Sequence, residues 1–267
     1  MKQIHPVLRT VFITGCALSL MAGIQLFVLA EQTDMYFAWT IQSHLTAALI
    51  GGFFFGTMTF GYLAFREPVW ENVRGAVMGL FVILILKLAA TLLHLDKFHF
   101  SGQTFTIFVT WVWVATYFVL PFVVLIGLIL QNRIPASARD TTSSLPAWLQ
   151  VSILLHGLSG LAAGLILFLS PQTIIPLWGW SLTPLTSRAL SAWLLSFAVV
   201  DWFMFRDNDW ARMKIMSVEY GVSVFFSVIA FIRYSGEVNW SSLGAAGFLA
   251  YLALMIAIGA AGILRNR

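Results

Sequence analysis

Charged residues are scarce in this chain. Asp, Glu, Lys and Arg make up only 10% of its 267 residues, whereas 60% are hydrophobic and 15% are aromatic. A soluble domain carries about a quarter charged residues, and a disordered segment is polar throughout. With a mean hydropathy of +0.88, the composition excludes a soluble enzyme and a disordered regulator. It favours an all-α polytopic membrane protein.

Cysteine and the known catalytic motifs are also lacking. Cys16 is the single cysteine, so an internal disulfide and a cysteine-based metal cage are excluded. The fifteen Lys and Arg residues are scattered among apolar segments rather than forming a basic stripe, so no nucleic-acid partner is expected. The sequence contains no glycine-rich phosphate loop, no HExxH, no CxxC and no nucleophile elbow. These absences disfavour nucleotide-driven pumps and the known membrane hydrolases.

Long apolar runs are what the sequence does contain. Runs of about 20 residues predict transmembrane helices, and eight are present at 8–30, 46–65, 74–95, 105–130, 148–170, 187–205, 213–234 and 243–264. Pro121 lies inside the fourth run, where neighbouring helices allow a kink without ending the helix. The first run resembles a signal segment, but we interpret it as a retained helix because it belongs to the repeat described next.

The chain repeats itself at an offset of 140 residues. The loop Phe-Arg-Glu-Pro-Val-Trp at 65–70 returns as Phe-Arg-Asp-Asn-Asp-Trp at 205–210, and Gln-Thr at 32–33 returns at 172–173. A matched loop of aromatic and charged residues at one fixed offset indicates duplication. We therefore predict a first four-helix repeat at 1–130, a cytoplasmic linker at 131–147 and a second repeat at 148–267. Four helices per copy make the repeat parallel, with a pseudo-twofold axis along the membrane normal.

The basic residues predict the orientation in the membrane. Eleven of them fall on one side, against three on the other, while Lys87 lies within a helix. Cytoplasmic loops collect Lys and Arg, so we expect a multi-pass protein of the plasma membrane with both termini in the cytoplasm. The eleven are Lys2, Arg9, Arg66, Arg74, Arg133, Arg139, Arg206, Arg212, Lys214, Arg265 and Arg267, and the three are Lys97, Arg188 and Arg233.

Four ionisable residues within the spans are the main candidates for a site. A charge there costs at least about 2.5–3.5 kcal/mol on insertion scales, so such residues indicate function. Counting 1.5 Å per residue, Asp201, Glu219 and His156 fall at similar depth, while Lys87 lies closer to the outer side. We predict a proton-coupled or cation site in which a carboxylate pair shares a proton beside an imidazole. Lys87 is expected to pair with one of the carboxylates, with an anionic substrate group or with a backbone carbonyl.

The alternative interpretation of these residues is interfacial. In it Asp201 and Lys87 snorkel toward water, Glu219 pairs with Arg212 or Lys214, and His156 is a packing residue. In the first copy the equivalents of Asp201, Glu219 and His156 by the offset are apolar or weakly polar, namely Gly61, Gly79 and Cys16.

A second class of site would hold a cofactor. His44 begins the second span and His94 ends the third, and two facing histidines are sufficient to ligate a haem. Trp111, Trp113 and Tyr117 provide an aromatic surface for a flat ligand such as a quinone, although such residues often face lipid or the core.

Two segments carry a resemblance to known proteins. They are Tyr-Phe-Ala-Trp-Thr-Ile at 36–41, followed by Leu-Thr-Ala-Ala-Leu at 45–49, and Trp-Gly-Trp-Ser-Leu-Thr-Pro-Leu-Thr-Ser-Arg-Ala-Leu at 178–190. The chain resembles a group of bacterial eight-helix membrane proteins of unassigned activity, which implies the fold and no site residues. The second segment is also similar to the four-helix DoxX-like proteins, some of which are linked to quinone redox chemistry.

The leading hypothesis is therefore an integral membrane protein that binds or transports a small molecule or a proton at the repeat interface. The alternatives are a membrane redox or cofactor-binding subunit, for quinone or haem, and a non-catalytic membrane scaffold. The sequence assigns no substrate and no enzymatic reaction.

Overall fold

The computed structural model describes residues 2–135 and 143–265, and within them all regular structure is helical apart from two isolated β-bridges. Eight helices are long and apolar enough to cross a membrane. The helices are α1 (Pro6–Gly23), α2 (Thr33–Tyr36), α3 (His44–Arg66), α4 (Trp70–Leu93), α5 (Thr104–Asn132), α6 (Ala147–Leu169), α7 (Pro171–Ile174), α8 (Pro184–Asp207), α9 (Trp210–Arg233) and α10 (Leu243–Arg265). The predicted all-α fold with eight spans is confirmed.

Local sequence explains where several spans begin. The Ser43 hydroxyl accepts a hydrogen bond from the Thr46 amide at the start of α3. Thr183 and Thr186 form a reciprocal capping box before α8, and Pro184 takes its first position. These caps satisfy amide groups that have no partner inside the helix, which lipid would leave unpaired.

The end of α1 was not predicted from the sequence. Residues Ile24–Val28 form a π-helical turn, in which the Leu29 amide donates to the Ile24 carbonyl five residues earlier. Such a turn inserts one extra residue and rotates the side chains that follow it. Pro121 lies within α5 without ending it, as expected.

The long helices form a central group of four surrounded by four outer helices. In the central group α3 packs against α9, α9 against α4, and α4 against α8. On the outside α1 packs against α3, α6 against α8, α5 against α4 and α10 against α9. The central group thus takes two helices from each half of the sequence, and α3 and α8 are the most buried of the eight spans.

The predicted linker falls only partly within the structure. Residues 136–142 lie outside the described residues, as do the basic residues Arg139 and Arg267. On the same side of the molecule, Asp207 at the end of α8 pairs with Arg74 of α4 and with Arg212 of α9. This carboxylate therefore links the end of α8 to α4 and α9.

Candidate functional site

Lys87 is fully buried in α4, with 2% of its surface exposed. Its ammonium nitrogen lies 3.4 Å from the ring centroid of Trp193 on α8 and 4.0 Å from that of Phe54 on α3. Trp113 and Tyr117 of α5 lie slightly farther away, at 5.4 Å each. The faces of aromatic rings carry partial negative charge, so these rings stabilise the cation. They do not neutralise it.

No carboxylate forms an ion pair with Lys87 in the part of the chain that the structure describes. The expected partners, Glu219 and Asp201, form no ion pair with it, and no hydrogen bond to its nitrogen is formed there. The side chain also does not snorkel to water, because it is fully buried. An ammonium without an ion-pair partner in an apolar interior is costly, so its presence calls for an explanation.

A cavity of about 90 Å³ lies beside Lys87. Its walls come from α1, α3, α4 and α5, together with Trp193. Most of the lining is aliphatic or aromatic, and the few polar side chains include Ser19, Gln25, Thr57 and Tyr117. Gln25 belongs to the π-helical turn and is buried.

The cavity extends to the surface of the helix bundle beside α1. Met21 lines it and is 41% exposed, on a surface that faces lipid in a membrane. Of the three aromatic residues predicted to form a flat site, Trp113 and Tyr117 line this cavity. Trp111 does not line it, because its ring is 57% exposed and packs against Phe100.

Glu219 lines a second and smaller cavity, of about 20 Å³. The two cavities adjoin, since Thr57, Phe60, Leu80, Ile83 and Trp193 line both of them. The Glu219 side chain is buried, with 4% exposed. Within residues 2–135 and 143–265 its carboxylate makes no hydrogen bond and no ion pair. Arg212, which we considered as its partner, pairs with Asp207 instead.

His156 and Asp201 form a separate buried pair. The His156 Nδ1 atom lies 2.6 Å from Asp201 Oδ2, and the two side chains are 0% and 1% exposed. The Tyr220 hydroxyl donates to the other carboxylate oxygen at 2.9 Å, and the Tyr251 ring stacks on the imidazole at 4.1 Å. The His156 Nε2 atom and the Tyr251 hydroxyl are buried without a hydrogen-bond partner among the described residues.

The structure thus brings together His156 and Asp201, but Glu219 points elsewhere. Successive residues on a helix point about 100° apart, so Tyr220 faces Asp201 while its neighbour Glu219 faces the smaller cavity. Sequence reasoning did not find Tyr220 or Tyr251. The available signal was the position of Tyr220 directly after a buried acidic residue, and aromatic residues are too common in spans to make that signal specific.

His44 and His94, the candidate haem ligands, bind different protein groups. His44 Nδ1 lies 3.0 Å from the Glu237 carboxylate, and His94 Nε2 accepts a hydrogen bond of 2.7 Å from Arg188. Burial, and then the positive charge of Arg188, lower the pKa of His94 below its ordinary value of 6.5. No group of three or more His, Cys, Asp or Glu residues that could hold a metal is present in the described ranges.

The arrangement therefore offers a buried cation and a buried carboxylate on two adjoining cavities, with a hydrogen-bonded imidazole–carboxylate pair nearby. A buried cation in an apolar cavity can bind an anionic group, and a buried unpaired carboxylate can bind a proton. A comparison of the chain with known protein families, curated proteins and solved structures found no significant similarity.

Proposed function

We propose that this integral membrane protein binds a small amphipathic organic anion in the cavity around Lys87. The observation that carries the proposal is the Lys87 ammonium, which is buried beside an apolar cavity and forms no ion pair with a carboxylate among the described residues. An anionic group on a ligand would neutralise it where water is excluded, and there the attraction between charges is strong. The aromatic rings around the ammonium hold it in place for that contact.

The walls of the cavity indicate that the rest of the ligand is apolar. Most lining side chains are aliphatic or aromatic, and the opening beside Met21 faces the lipid side of the bundle. A ligand that already partitions into the bilayer can enter by that opening. Such ligands have one charged end and a hydrocarbon or flat ring body. Examples are an alkyl carboxylate, an alkyl sulfonate and an anionic lipid.

Binding of a defined amphiphile tests the proposal. Decanesulfonate is titrated into purified protein in neutral detergent by calorimetry, with decanol as the uncharged probe of the same length. The wild type is expected to bind decanesulfonate at one saturable site and decanol at least tenfold more weakly, which corresponds to about 1.4 kcal/mol. Lys87→Met should remove the saturable site and leave only partition into micelles.

Lys97→Met is the matched control, because Lys97 is 63% exposed and pairs with Asp96 at the surface. Equal binding by wild type and Lys87→Met would refute the proposal. The source of the anion is distinguished in bilayers of phosphatidylcholine with or without phosphatidylglycerol. Competition by phosphatidylglycerol identifies a lipid headgroup as the ligand, whereas unchanged decanesulfonate binding identifies a free amphiphile.

We further propose that the chain is a duplicated four-helix unit. Pairs of contacts related by the 140-residue offset support this. A Cβ built at Gly56 lies 3.2 Å from the Glu219 carbonyl oxygen, and at the equivalent positions one built at Gly79 lies 3.0 Å from the Ser196 carbonyl oxygen. The main contacts between helices are likewise preserved when α1, α3, α4 and α5 are exchanged with α6, α8, α9 and α10: the α1–α3 contact corresponds to α6–α8, and the α4–α8 contact to α3–α9.

We also propose that the protein lies in the plasma membrane with both termini in the cytoplasm, on the strength of the eleven basic residues against three. The test uses Cys16→Ser protein, which has no cysteine, with single cysteines at Ser101, Ser241 or Asn132, all exposed. On intact cells a membrane-impermeant maleimide should label positions 101 and 241, which are related by the offset, and not position 132. Labelling of 101 and 241 with opposite sidedness would refute the parallel repeat.

A further inference from the structure

The buried groups Lys87 and Glu219 have opposite charge and face two cavities with shared walls. Trp193 and four other side chains line both cavities. Neither group has an ionic partner among the described residues, and no ion pair joins them. Their charges nevertheless sum to zero within one apolar region, so the empty site is neutral overall when both are ionised.

We propose that binding of the anion at Lys87 is accompanied by uptake of one proton at Glu219. This inference rests on the function proposed above. An anion that enters next to the Lys87 ammonium changes the net charge of the region from zero to −1. A net charge is costly in an interior of low dielectric constant. A proton on Glu219 restores neutrality, so the anion and the proton are bound together.

Glu219 is the carboxylate best placed to take that proton. The helices that pack against α9 bring few ionisable side chains into the buried region. They are Lys87 from α4, Asp201 from α8 and Tyr251 from α10. Tyr220 on α9 itself is also buried there, and His156 contacts Asp201 from the far side. The remaining ionisable side chains of these helices lie toward their ends, except Tyr62 of α3, which is 49% exposed. Both oxygens of Asp201 already have partners, His156 and Tyr220.

The smaller cavity provides a route for the proton to reach Glu219. Its volume of about 20 Å³ is enough for one water molecule, which needs roughly 10–15 Å³ by the same kind of measure. A water there lies beside Glu219 and next to the wall shared with the Lys87 cavity. The proton comes from bulk solvent and stays on the carboxylate, so the step needs no oxidant or reductant.

Calorimetry in buffers of different ionisation enthalpy counts the protons taken up on binding. Decanesulfonate is the probe because its sulfonate stays ionised over the whole pH range, so any proton taken up belongs to the protein. Where Glu219 is ionised before binding, the wild type should take up about one proton per decanesulfonate. Its affinity should then fall about tenfold for each unit that the pH rises, as linkage to one proton requires.

Glu219→Gln mimics the protonated carboxyl. Because this variant should still bind the ligand, a loss of proton uptake in it cannot be attributed to a folding defect. The variant should bind decanesulfonate with no proton uptake, with an affinity that does not vary with pH and that exceeds the wild-type affinity at high pH. Glu219→Asp should restore proton uptake. Asp201→Asn is the matched control on the neighbouring cluster, and it should keep both the uptake and the pH dependence.

The outcomes separate this inference from the function on which it rests. No decanesulfonate binding by the wild type overturns both. Binding without proton uptake overturns only the coupling and leaves the anion site in place. Uptake that persists in Glu219→Gln and disappears in Asp201→Asn assigns the proton to the His156–Asp201 pair and overturns the role of Glu219.

Discussion

His156 Nδ1 lies 2.6 Å from Asp201 Oδ2, and the pair joins α6 to α8 in the interior of the second half. Gly157 makes this approach possible, because a Cβ at that position would lie only 2.9 Å from Asp201 Cβ. The Tyr220 hydroxyl then connects the same carboxylate to α9. One buried carboxylate thus holds three helices together.

Removing only the imidazole should strongly destabilise the protein. His156→Leu leaves the Asp201 carboxylate buried with a single donor, and removing the partner of a buried carboxylate in this way costs about 3–5 kcal/mol. The double variant His156→Leu with Asp201→Asn leaves no charge and should recover part of the loss. Free energies of unfolding from SDS titrations in mixed micelles measure both effects. If the double variant is no more stable than His156→Leu, the charge of Asp201 does not matter for stability.

Close contact between α3 and α9 should depend on Gly56. A Cβ built at Gly56 collides with the Ser223 hydroxyl, while one built at Gly247 on α10 meets nothing within 4 Å. Gly56→Val should therefore destabilise the protein by about 1–3 kcal/mol through overpacking, and Gly247→Val should have little effect. The same unfolding titration compares them. Equal stability of the two variants would show that α3 and α9 do not pack this closely.

Stability should fall at mildly acidic pH because of His94. Burial and the Arg188 guanidinium lower the pKa of His94 from 6.5, so the unfolded chain binds a proton at this histidine more readily than the folded protein. Its contribution to stability is present above pH 6.5 and is lost as the pH falls through the lowered pKa. When the pH is lowered from about 8 to about 5, the melting temperature should fall more for the wild type than for His94→Gln.

His99→Gln is the control for that measurement. His99 lies at the same end of the helix bundle as His94, and its ring contacts Thr40 and the Phe37 carbonyl oxygen rather than a cation. The melting temperature of His99→Gln should vary with pH in the same way as that of the wild type. A wild-type profile that coincides with that of His94→Gln would mean that the hydrogen bond from Arg188 does not oppose protonation of His94.

The spans were predictable because lipid imposes a simple rule on the sequence. A backbone without water must form helices long enough to cross the bilayer, so apolar runs such as 105–130 identify α5 (Thr104–Asn132) to within two residues. The π-helical turn Ile24–Val28 and the short helices α2 and α7 were missed. They depend on local hydrogen bonds and packing that leave no periodic signal.

The site was predictable only in part, because a sequence gives depth along a helix and not the direction of a side chain in the assembled bundle. Counting residues placed His156 and Asp201 at one level, and they do form a pair. The same count placed Glu219 beside them, yet its neighbour Tyr220 faces Asp201 instead. The rings around Lys87 come from α3, α5 and α8. No local sequence pattern specifies that these rings pack around one lysine.

Replacing Lys87 should stabilise the protein while it removes ligand binding. A lysine within a span costs about 2.5–3.5 kcal/mol, and its contacts with Trp193 and Phe54 return about 2 kcal/mol. Lys87→Met keeps a side chain of similar length without the charge, so it should raise the free energy of unfolding by about 1 kcal/mol. Lys97→Met, at an exposed position, should change it little. A structural lysine would give the opposite sign, because its loss would weaken the aromatic cluster. A more stable variant that no longer binds decanesulfonate would instead show that the buried charge is kept for the ligand.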